Sequence, residues 1–462
     1  MDLTFDAQPV LAAALERQGQ MAELFLEENT TLTVVMDDGK IEKVLGGVDA
    51  GAGLRLIHDL RTSYAYTNRL TAAALLPLAA NLAATSAGGP VKAPAPLAAV
   101  APGLLAQVTK PPRSIATDRK VELVRAAEAA ARAVDPRVRQ VRVMYAERVQ
   151  QVRIVNSLGV EAAEERTYLI LAVHCIAEDK GVVQTGYETM GGFLGLELFD
   201  QEDPEEKARQ AARLAVMMLG ADPAPGGAMP VVLHSSAGGT MIHEAVGHGL
   251  EADLVLEGMS VYANKLGQEV ASPLITVLDD ATLPQRRGSF GFDDEGYPSQ
   301  KTVLIAKGKL TSYMQDRLSA LKMDLSPTGN GRRESYRARP IPRMTNTMIA
   351  SGTEDPDSII RRTPGGLLVK KMGGGQVNTV NGDFVFEVSE GYLIKDGKVG
   401  APVRGATLTG NGPRVLMEID LVGSDLGFGI GTCGKDGQGA PVADAQPTLR
   451  IPNIVVGGLH QG

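Results

Sequence analysis

Residues 240–253 of this chain read Thr-Met-Ile-His-Glu-Ala-Val-Gly-His-Gly-Leu-Glu-Ala-Asp. Two imidazoles and a carboxylate thus lie within six residues, in a chain that has six histidines in all. In the zinc-binding pattern His-Glu-x-x-His, a helix holds both histidines on one face and the glutamate acts as a general base. Here the second histidine comes one residue later, which would leave the two rings roughly 140° apart on a regular α-helix.

A local π-type turn would bring His243 and His248 back onto one face, and such turns are often found at functional sites. Gly247, directly before the second histidine, would lower the steric cost of that distortion. A chance pair of solvated or core histidines is the alternative, but the arrangement is rare in a chain with so few histidines. The spacing therefore predicts a metal site on a distorted helix, with Glu244 as the base.

The composition limits the classes of protein to which this chain can belong. Its 462 residues predict about two to three domains, and its net charge of −8 argues against nucleic acid or an anionic membrane as the main partner. Only two cysteines are present, so no disulfide framework is implied and a reducing compartment fits. Residues 1–20 lack the basic start of a signal peptide, and residues 71–91 are interrupted by proline and glycine. The sequence therefore predicts a cytoplasmic protein without a membrane span.

The first half of the chain alternates strand and helix patterns. Apolar runs separated by turn residues predict antiparallel strands at 31–36, 41–45, 54–57, 63–67, 138–146, 152–156, 165–177 and 182–188. Apolar stripes and flanking turns predict helices at 8–20, 71–85 and 118–134. We therefore expect an α+β domain in which helices cover one face of an antiparallel sheet.

A domain boundary is predicted at residue 222. Asp203 can cap a helix that starts at Pro204, with Glu206 placed to complete a capping box. That helix ends at Gly220, because residues 221–227 are too rich in proline and glycine to continue it. The N-terminal α+β domain is thus predicted to span residues 1–222. The C-terminal domain, residues 223–462, is predicted to be mostly β, a barrel or a sandwich that carries the histidine helix.

Cys433 lies in a glycine-rich segment, residues 429–436, that imitates two nucleotide-binding motifs. Both motifs need a helix directly after the loop to meet the phosphates, and residues 437–441 cannot form one. The segment instead presents a thiol on a glycine-rich turn, and catalytic zinc usually has three protein ligands. Cys433 is therefore the candidate third ligand. The alternative, a buried apolar cysteine, is the interpretation favoured for Cys175.

Other polar residues receive weaker interpretations. Three histidines, namely His58, His174 and His460, are expected to be structural or exposed, and His234 is given no firm role. The loop arginines at 330–333 and 343–347 are expected to be solvated, with substrate binding as the less favoured interpretation. The chain contains no Gly-x-Ser-x-Gly segment, so a serine hydrolase of that type is unsupported.

With these residues in view, the chain resembles the TldD branch of the TldD/PmbA (TldD/TldE) metalloprotease family over nearly its full length. The segments that carry the resemblance are residues 243–253, 293–296, 328–333, 343–347, 373–377, 431–435 and 456–458. The resemblance implies that His243, His248 and Cys433 bind zinc and that Glu244 is the catalytic base. It also implies an active site inside a closed chamber, unfolded or small peptides held by backbone pairing, and a related PmbA/TldE-type partner subunit that lacks the histidine motif.

Two functions of different classes remain open. In the first, the chain is a zinc-dependent peptidase and the catalytic subunit of such a complex, with Glu244 taking a proton from the attacking water. In the second, the metal is structural and the chain is a peptide-binding or scaffolding subunit. A fourth protein ligand near His243 would favour the second function, whereas the glutamate favours the first. Peptides are expected to add a strand to the C-terminal domain, and the chain is expected to pair with a related subunit or with itself.

Overall fold

The computed structural model describes residues 5–458 and confirms the α+β class. The helices of the first half are α1 to α5, at Gln8–Ala14, Ala72–Ala83, Thr117–Arg132, Leu198–Gln201 and Pro204–Leu219. Its strands are β1 to β7, at Met21–Asp37, Lys40–His58, Arg61–Thr67, Ala98–Ala99, Val138–Asn156, Val160–Asp179 and Val182–Gly192. Of the histidines named above, His460 lies outside the described residues.

One seven-stranded sheet forms the body of this half. The strands β3, β2, β1, β5, β6 and β7 follow one another in antiparallel order, and the two-residue strand β4 pairs parallel to β6. The strands are longer than predicted, because β1 pairs with β5 without a break from Glu23 to Asp37. The sequence pattern missed the start of β1 because Glu23 and Glu27 interrupt its apolar residues. Both carboxylates are buried against the second half of the chain.

The helices pack on one face of this sheet, as predicted. Even-numbered side chains of β1 point to the helices: Leu24 packs with α1 and α2, and Val34 lies in the cluster beneath α3 and α5. Odd-numbered side chains such as Phe25 point to the other face, which the second half of the chain covers. Among residues 5–458, the helices lack the combination of length and apolar character needed to cross a bilayer.

The start of α5 agrees with its sequence signature in part. Asp203 caps the helix by accepting a hydrogen bond from the backbone N–H of Glu205 (2.9 Å). Glu206 was predicted to complete a capping box, but its carboxylate pairs with Arg209 and Arg213 on the exposed side of the helix. The salt bridges are available because these arginines lie about one and two helical turns further along the same face.

The second half contains the helices α6 to α10, at Thr240–Ile242, Ala252–Leu256, Arg317–Met323, Pro356–Arg361 and Gly412–Glu418. Between α6 and α7 the chain forms a π-helical turn at His243–Gly247 and a 3₁₀ turn at His248–Leu250. The strands β8 to β23 lie at Asp222–Pro223, Gly227–Leu233, Val277–Asp280, Lys301–Ala306, Lys309–Leu310, Gly331–Arg332, Ile341–Pro342, Asn346–Ile349, Gly365–Val377, Asp383–Lys395, Lys398–Arg404, Thr407–Asn411, Leu421–Val422, Gly427–Lys435, Gln438–Gln446 and Leu449–Gly457.

Five strands of the second half close into a barrel, so of the two predicted alternatives the barrel is present. The ring runs β16-β9-β23-β19-β17 and closes where β17 pairs with β16. A second sheet, in the order β12-β11-β10-β15-β22-β21, has β21 as an edge strand. The π-helical turn shares one hydrophobic core with both, since Val246 clusters with Phe386 of the barrel and Ile305 of the second sheet.

The chain crosses between its halves just after α5. Strand β8, at Asp222–Pro223, already pairs with β18 of the second half. The division between residues 222 and 223 remains our proposal for the domain boundary.

Buried ion pairs join the two halves. Arg333 of the second half pairs with Glu23 of β1, and both side chains are fully buried. Arg55 of β2 pairs with Glu295 in the same interface. Because each of these charges has left water, it is stable only while its partner is present. The interface therefore depends on matched charges as well as on apolar contact.

The expectation that the loop arginines are solvated is wrong. The side chains of Arg332, Arg333 and Arg343 are all buried. Each guanidinium has internal acceptors: Arg332 donates to the carbonyl oxygens of Met344 and Pro441, and Arg343 to those of Cys433 and Gln438. A planar group with five N–H donors suits such positions, since it satisfies several carbonyl oxygens at once.

We expect Arg333→Met to lower the free energy of unfolding by about 3–5 kcal/mol, because the buried Glu23 carboxylate would lose its hydrogen-bonded partner and keep only Arg55, at 4.0 Å. Arg337→Met is the matched control. The Arg337–Asp49 pair also joins the two halves, but its side chains are about half exposed, and its loss should cost about 0–1 kcal/mol. Urea unfolding at pH 7 measures both variants, and equal losses would show that burial does not govern the strength of this interface.

Candidate metal centre

The π-helical turn predicted from the histidine spacing is present at His243–Gly247. It brings the rings of His243 and His248 together, with centroids 5.2 Å apart and ring planes at 87°. Gly247 has ordinary right-handed helical dihedrals (φ −55°, ψ −53°), so conformational freedom is not the reason for glycine here. A Cβ atom at this position would lie 2.1 Å from Sδ of Met344. Close packing is therefore what requires glycine.

Cys433 reaches the same place from a segment 185 residues further along the chain. It lies on the edge strand β21, close to the two-residue turn Asp436-Gly437, whose φ values of 52° and 71° are typical of a tight hairpin. Arg343 donates to the carbonyl oxygens of Cys433 (2.5 Å) and Gln438 (3.1 Å) and so holds the hairpin in position. The Sγ atom lies 3.5 Å from Nε2 of His248.

The structure thus brings together the three residues that the sequence indicated as metal ligands. One ligand atom each from His243, His248 and Cys433 lies within 4.8 Å of the others. Ligands around a tetrahedral zinc ion, at roughly 2.0–2.3 Å from it, are separated by about 3–4 Å. The residues fit such an ion after a small closure of the triad. The buried Nδ1 atom of His243 finds no hydrogen-bond partner among residues 5–458.

The members of the triad set one another's charges. Burial would raise the pKa of the Cys433 thiol, but hydrogen bonds to His243 and His248 outweigh burial and lower that pKa to about 5. Burial would lower the pKa of His248, but the Glu251 carboxylate and Cys433 raise it well above its ordinary value. Cys433 is therefore a thiolate at neutral pH, the form in which cysteine binds metals. Burial among apolar residues raises the pKa of Cys175 to about 12.

Glu251 and Lys435 also belong to the site, although the sequence assigned them no role in it. The Nδ1 atom of His248 donates to the buried carboxylate of Glu251 (2.9 Å), so Nε2 of the same ring faces Cys433. A carboxylate behind a histidine ligand commonly fixes the tautomer and orientation of the ring in this way. Lys435 donates to Glu251 (3.1 Å) and to Asp253 (2.7 Å). It thereby compensates both carboxylates, of which Glu251 is buried and Asp253 is partly exposed.

Both of these residues had a signal in the sequence. Lys435 lies two residues after Cys433, and alternate residues of a strand share one face. Glu251 lies three residues after His248, which is a helical neighbour spacing. A regular α-helix would place its side chain about 300° round the helix axis from that of His248, but the chain does not continue as a regular helix here. The chain tightens into a 3₁₀ turn at His248–Leu250, and Glu251 is extended (φ −77°, ψ 123°).

Glu244 lies at the opening of the site, beside the triad. Its Oε2 atom is 4.0 Å from Nε2 of His248, and about a third of its side chain (32%) is exposed. A cavity of about 370 Å³ opens in front of Glu244 and His248, with Gln376 and Val377 in its wall. A carboxylate in this position can take up a proton from a molecule held in the cavity.

The other three histidines within residues 5–458 have local partners away from the triad. Nε2 of His58 pairs with the hydroxyl of Ser63, and the ring of His174 lies beside that of Tyr187. His234 accepts a hydrogen bond from the backbone N–H of Ser236 (3.1 Å) and caps a short turn. The structure also supports the argument against a nucleotide loop, since Cys433 is in a strand and the chain continues into β22.

Three family models match consecutive parts of the chain. They are the PmbA/TldA metallopeptidase domain 1 at residues 22–86, the central domain at 110–219 and the C-terminal domain at 226–458. A metalloprotease TldD homolog of Haemophilus influenzae is 39% identical over 95% of this chain and 93% of its own. A metalloprotease of Methanothermobacter thermautotrophicus is 35% identical over 99% of this chain and 100% of its own.

A solved structure shares the fold. TldE from Thermococcus kodakarensis matches with a TM-score of 0.76 at 19% identity, over 98% of this chain and 100% of that chain. The matching domains, the relatives aligned over nearly their full length and the fold agree with one another. The chain belongs to the TldD/PmbA metalloprotease family.

Proposed function

We propose that the chain is a zinc-dependent peptidase of the His-Glu-x-x-x-His type. The observation that carries the proposal is the triad of His243, His248 and Cys433 within 4.8 Å, with the Glu244 carboxylate beside it at the cavity. Two imidazoles and a thiolate are donors that zinc accepts. Relatives of this chain are named metalloproteases, which agrees with a metal at this position.

Each residue of the site has a distinct task in this proposal. Bound zinc would polarise the scissile carbonyl group and make the attacking water more acidic. Glu244 takes the proton from that water and passes it to the nitrogen of the leaving amine. Glu251 holds the ring of His248, and Lys435 keeps the Glu251 carboxylate compensated. Arg343 keeps Cys433 in position by donating a hydrogen bond to the carbonyl oxygen of Cys433.

A structural metal in a peptide-binding subunit is the less well supported alternative. Structural zinc sites typically have four protein ligands. Within the part of the chain that the structure describes, the cluster of candidate ligands contains three. The cavity in front of Glu244 and His248 also leaves room for a reacting molecule.

The edge of β21 offers a place for an extended substrate. Lys435 and Gln438 flank a two-residue turn and form a hydrogen-bonded pair. Counting back along β21 from Lys435, every second residue, starting with Gly434, therefore points its backbone N–H and C=O groups away from β22. Thr432 and Gly434 are such residues, and both are exposed. A peptide strand added here would lie beside Cys433. Since every extended peptide offers these backbone groups, we propose unfolded proteins and short peptides as substrates.

The family and the free cysteines support a proposal for the assembly and the location of the protein. We propose that this chain is the catalytic subunit of a TldD/TldE-type complex, paired with a related TldE-type chain or with itself. The shared fold of TldE supports such pairing of similar chains. Cys175 and Cys433 are both free, which agrees with a reducing compartment such as the cytoplasm.

We expect Glu244→Gln to keep bound zinc and to lose peptide cleavage by about 10²- to 10⁴-fold, because the amide cannot act as a base. Metal analysis and cleavage of an unstructured fluorogenic peptide are measured on the same sample. Glu269→Gln, at an exposed position outside the cavity, is the control and should match the unaltered protein. Undiminished cleavage by Glu244→Gln would show that another group is the base.

We expect Cys433→Ala to weaken zinc binding sharply and to abolish cleavage, because two histidines leave the ion short of the three protein ligands usual in catalytic sites. Cys175→Ala is the matched control, since Cys175 is buried in the first half of the chain. It should retain zinc and activity and lose only packing stability. Zinc content after dialysis decides the point, and full occupancy in Cys433→Ala would remove this residue from the site.

We expect the enzyme to cleave an unfolded protein and to leave the same protein intact when it is folded, because a strand can be added at β21 only if the substrate is extended. A disulfide-bonded protein, compared in its native form and after reduction and alkylation, provides the pair. Gel analysis of both digests measures the rates. Cleavage of the native form alone would contradict strand addition.

A further inference from the structure

A groove on the barrel continues the cavity of the metal centre. It encloses about 600 Å³, and its walls come from all five strands of the barrel ring and from α10. Gln376 and Val377 line both this groove and the smaller cavity in front of Glu244 and His248. The two spaces therefore meet along the end of β16.

The floor of the groove is a row of side chains in register across the barrel. Paired in order from β9 to β16, they are Ala228, Val455, Thr409, Val385 and Gln376. All five are exposed, and the two valines are 52% and 48% exposed. Their neighbours along the strands, such as Phe384 and Ile454, are buried. The row therefore belongs to the outer face of the barrel.

This floor is mostly apolar, and among the charged side chains of the wall beside it only the Asp383 carboxylate lacks an opposite charge within the groove. Arg414 and Glu418 of α10 pair with each other (2.8 Å) and so cancel their charges. Asn411 binds the carboxylate of Asp383, another lining residue, and moderates its charge. Aliphatic side chains exposed in a concave surface gain free energy when an apolar group displaces the water over them. The groove is therefore suited to an uncharged, apolar occupant.

The space on the other side of the metal centre has the opposite character. Leu254 and Lys435 line both the cavity in front of His248 and a further cleft between α7, α8 and β14. Charged side chains make up half of the residues that line that cleft, among them Asp316, Lys322 and Arg339. The centre thus lies between an apolar groove and a charged cleft.

We propose that the barrel groove is the subsite for an apolar segment of the peptide substrate, on one side of the scissile bond. This inference rests on the proposed peptidase function and adds a preference to it. Backbone pairing at β21 binds any extended chain, and the row centred on Val385 and Val455 selects those whose adjoining residues are aliphatic or aromatic. A volume of about 600 Å³ is in the range of ordinary ligand pockets and holds a few such side chains.

Three fluorescent octapeptides test the proposal: one wholly polar, one with an apolar N-terminal half and one with an apolar C-terminal half. Binding is measured by anisotropy with zinc-loaded Glu244→Gln protein, and cleavage with the unaltered protein. We expect both half-apolar peptides to bind at least about tenfold more tightly than the polar one, since burying one or two aliphatic side chains gives this ratio. Only one of the two should be cleaved efficiently at its midpoint, because the groove lies on one side of the triad.

The affinity ratio is the affinity for a half-apolar peptide divided by that for the polar peptide. Val385→Asp and Val455→Asp should each reduce this ratio by about tenfold, since a carboxylate in the floor opposes an apolar occupant. Val385→Ile should keep the ratio. Val183→Asp is the matched control, as Val183 is an equally exposed strand valine on β7, outside the groove. Circular dichroism and thermal unfolding verify that all variants are folded.

An unchanged affinity ratio in both aspartate variants would overturn the subsite. A change in their oligomeric state with peptide affinity intact would also overturn it, because the face would then be a contact between subunits. The expected affinity ratios without cleavage by the unaltered protein would refute the peptidase function and support the groove as a peptide-binding site.

Discussion

The five-residue spacing of His243 and His248 is the constraint on which the rest of the structure depends. A π-helical turn is a rare and unfavourable form of helix, so its surroundings must hold it. Remote segments do so: Met344 packs on Gly247, and Gly412, at the start of α10, is so close to the Ala245 carbonyl that a Cβ atom would lie 2.5 Å from its oxygen. Core residues of the barrel and of the second sheet enclose Val246. Much of the second half thus supports one turn of helix.

Charge is balanced over the whole centre and not within isolated pairs. Burial would raise the pKa of Glu251, but Lys435 and His248 lower it to about 2, so this carboxylate stays ionised throughout the neutral range. The Cys433 thiolate is compensated by the two imidazoles in the same way. A divalent cation would take over that compensation and release protons from the histidines. Metal binding and proton release are therefore linked at this centre.

The sequence predicted the local structure of the site and one of its distant residues, Cys433, but not the buried partners of most polar residues. The spacing of His243 and His248 predicted the π-helical turn, which is present. Zinc usually has three protein ligands in catalytic sites, and this requirement indicated Cys433, which lies beside the two histidines. The burial of Arg333 was missed because its partner, Glu23, lies 310 residues away. The closure of the barrel depends on the pairing of β17 with β16, which no local pattern reveals. Predictions failed where a tertiary contact gave a polar residue a buried partner.

Met344 connects two features that the sequence treats as separate. Its side chain packs on Gly247, and its carbonyl oxygen accepts a hydrogen bond from Arg332 (2.6 Å). Arg333, which follows Arg332 in the chain, pairs with Glu23 of the first half. The metal helix and the joint between the halves are therefore neighbours in one continuous framework. Each half supplies a cation for a buried carboxylate of the other half, Arg333 for Glu23 and Arg55 for Glu295. Either half alone would therefore hold buried charges without these partners. The boundary that we propose at residue 222 therefore separates two halves that share their buried ion pairs.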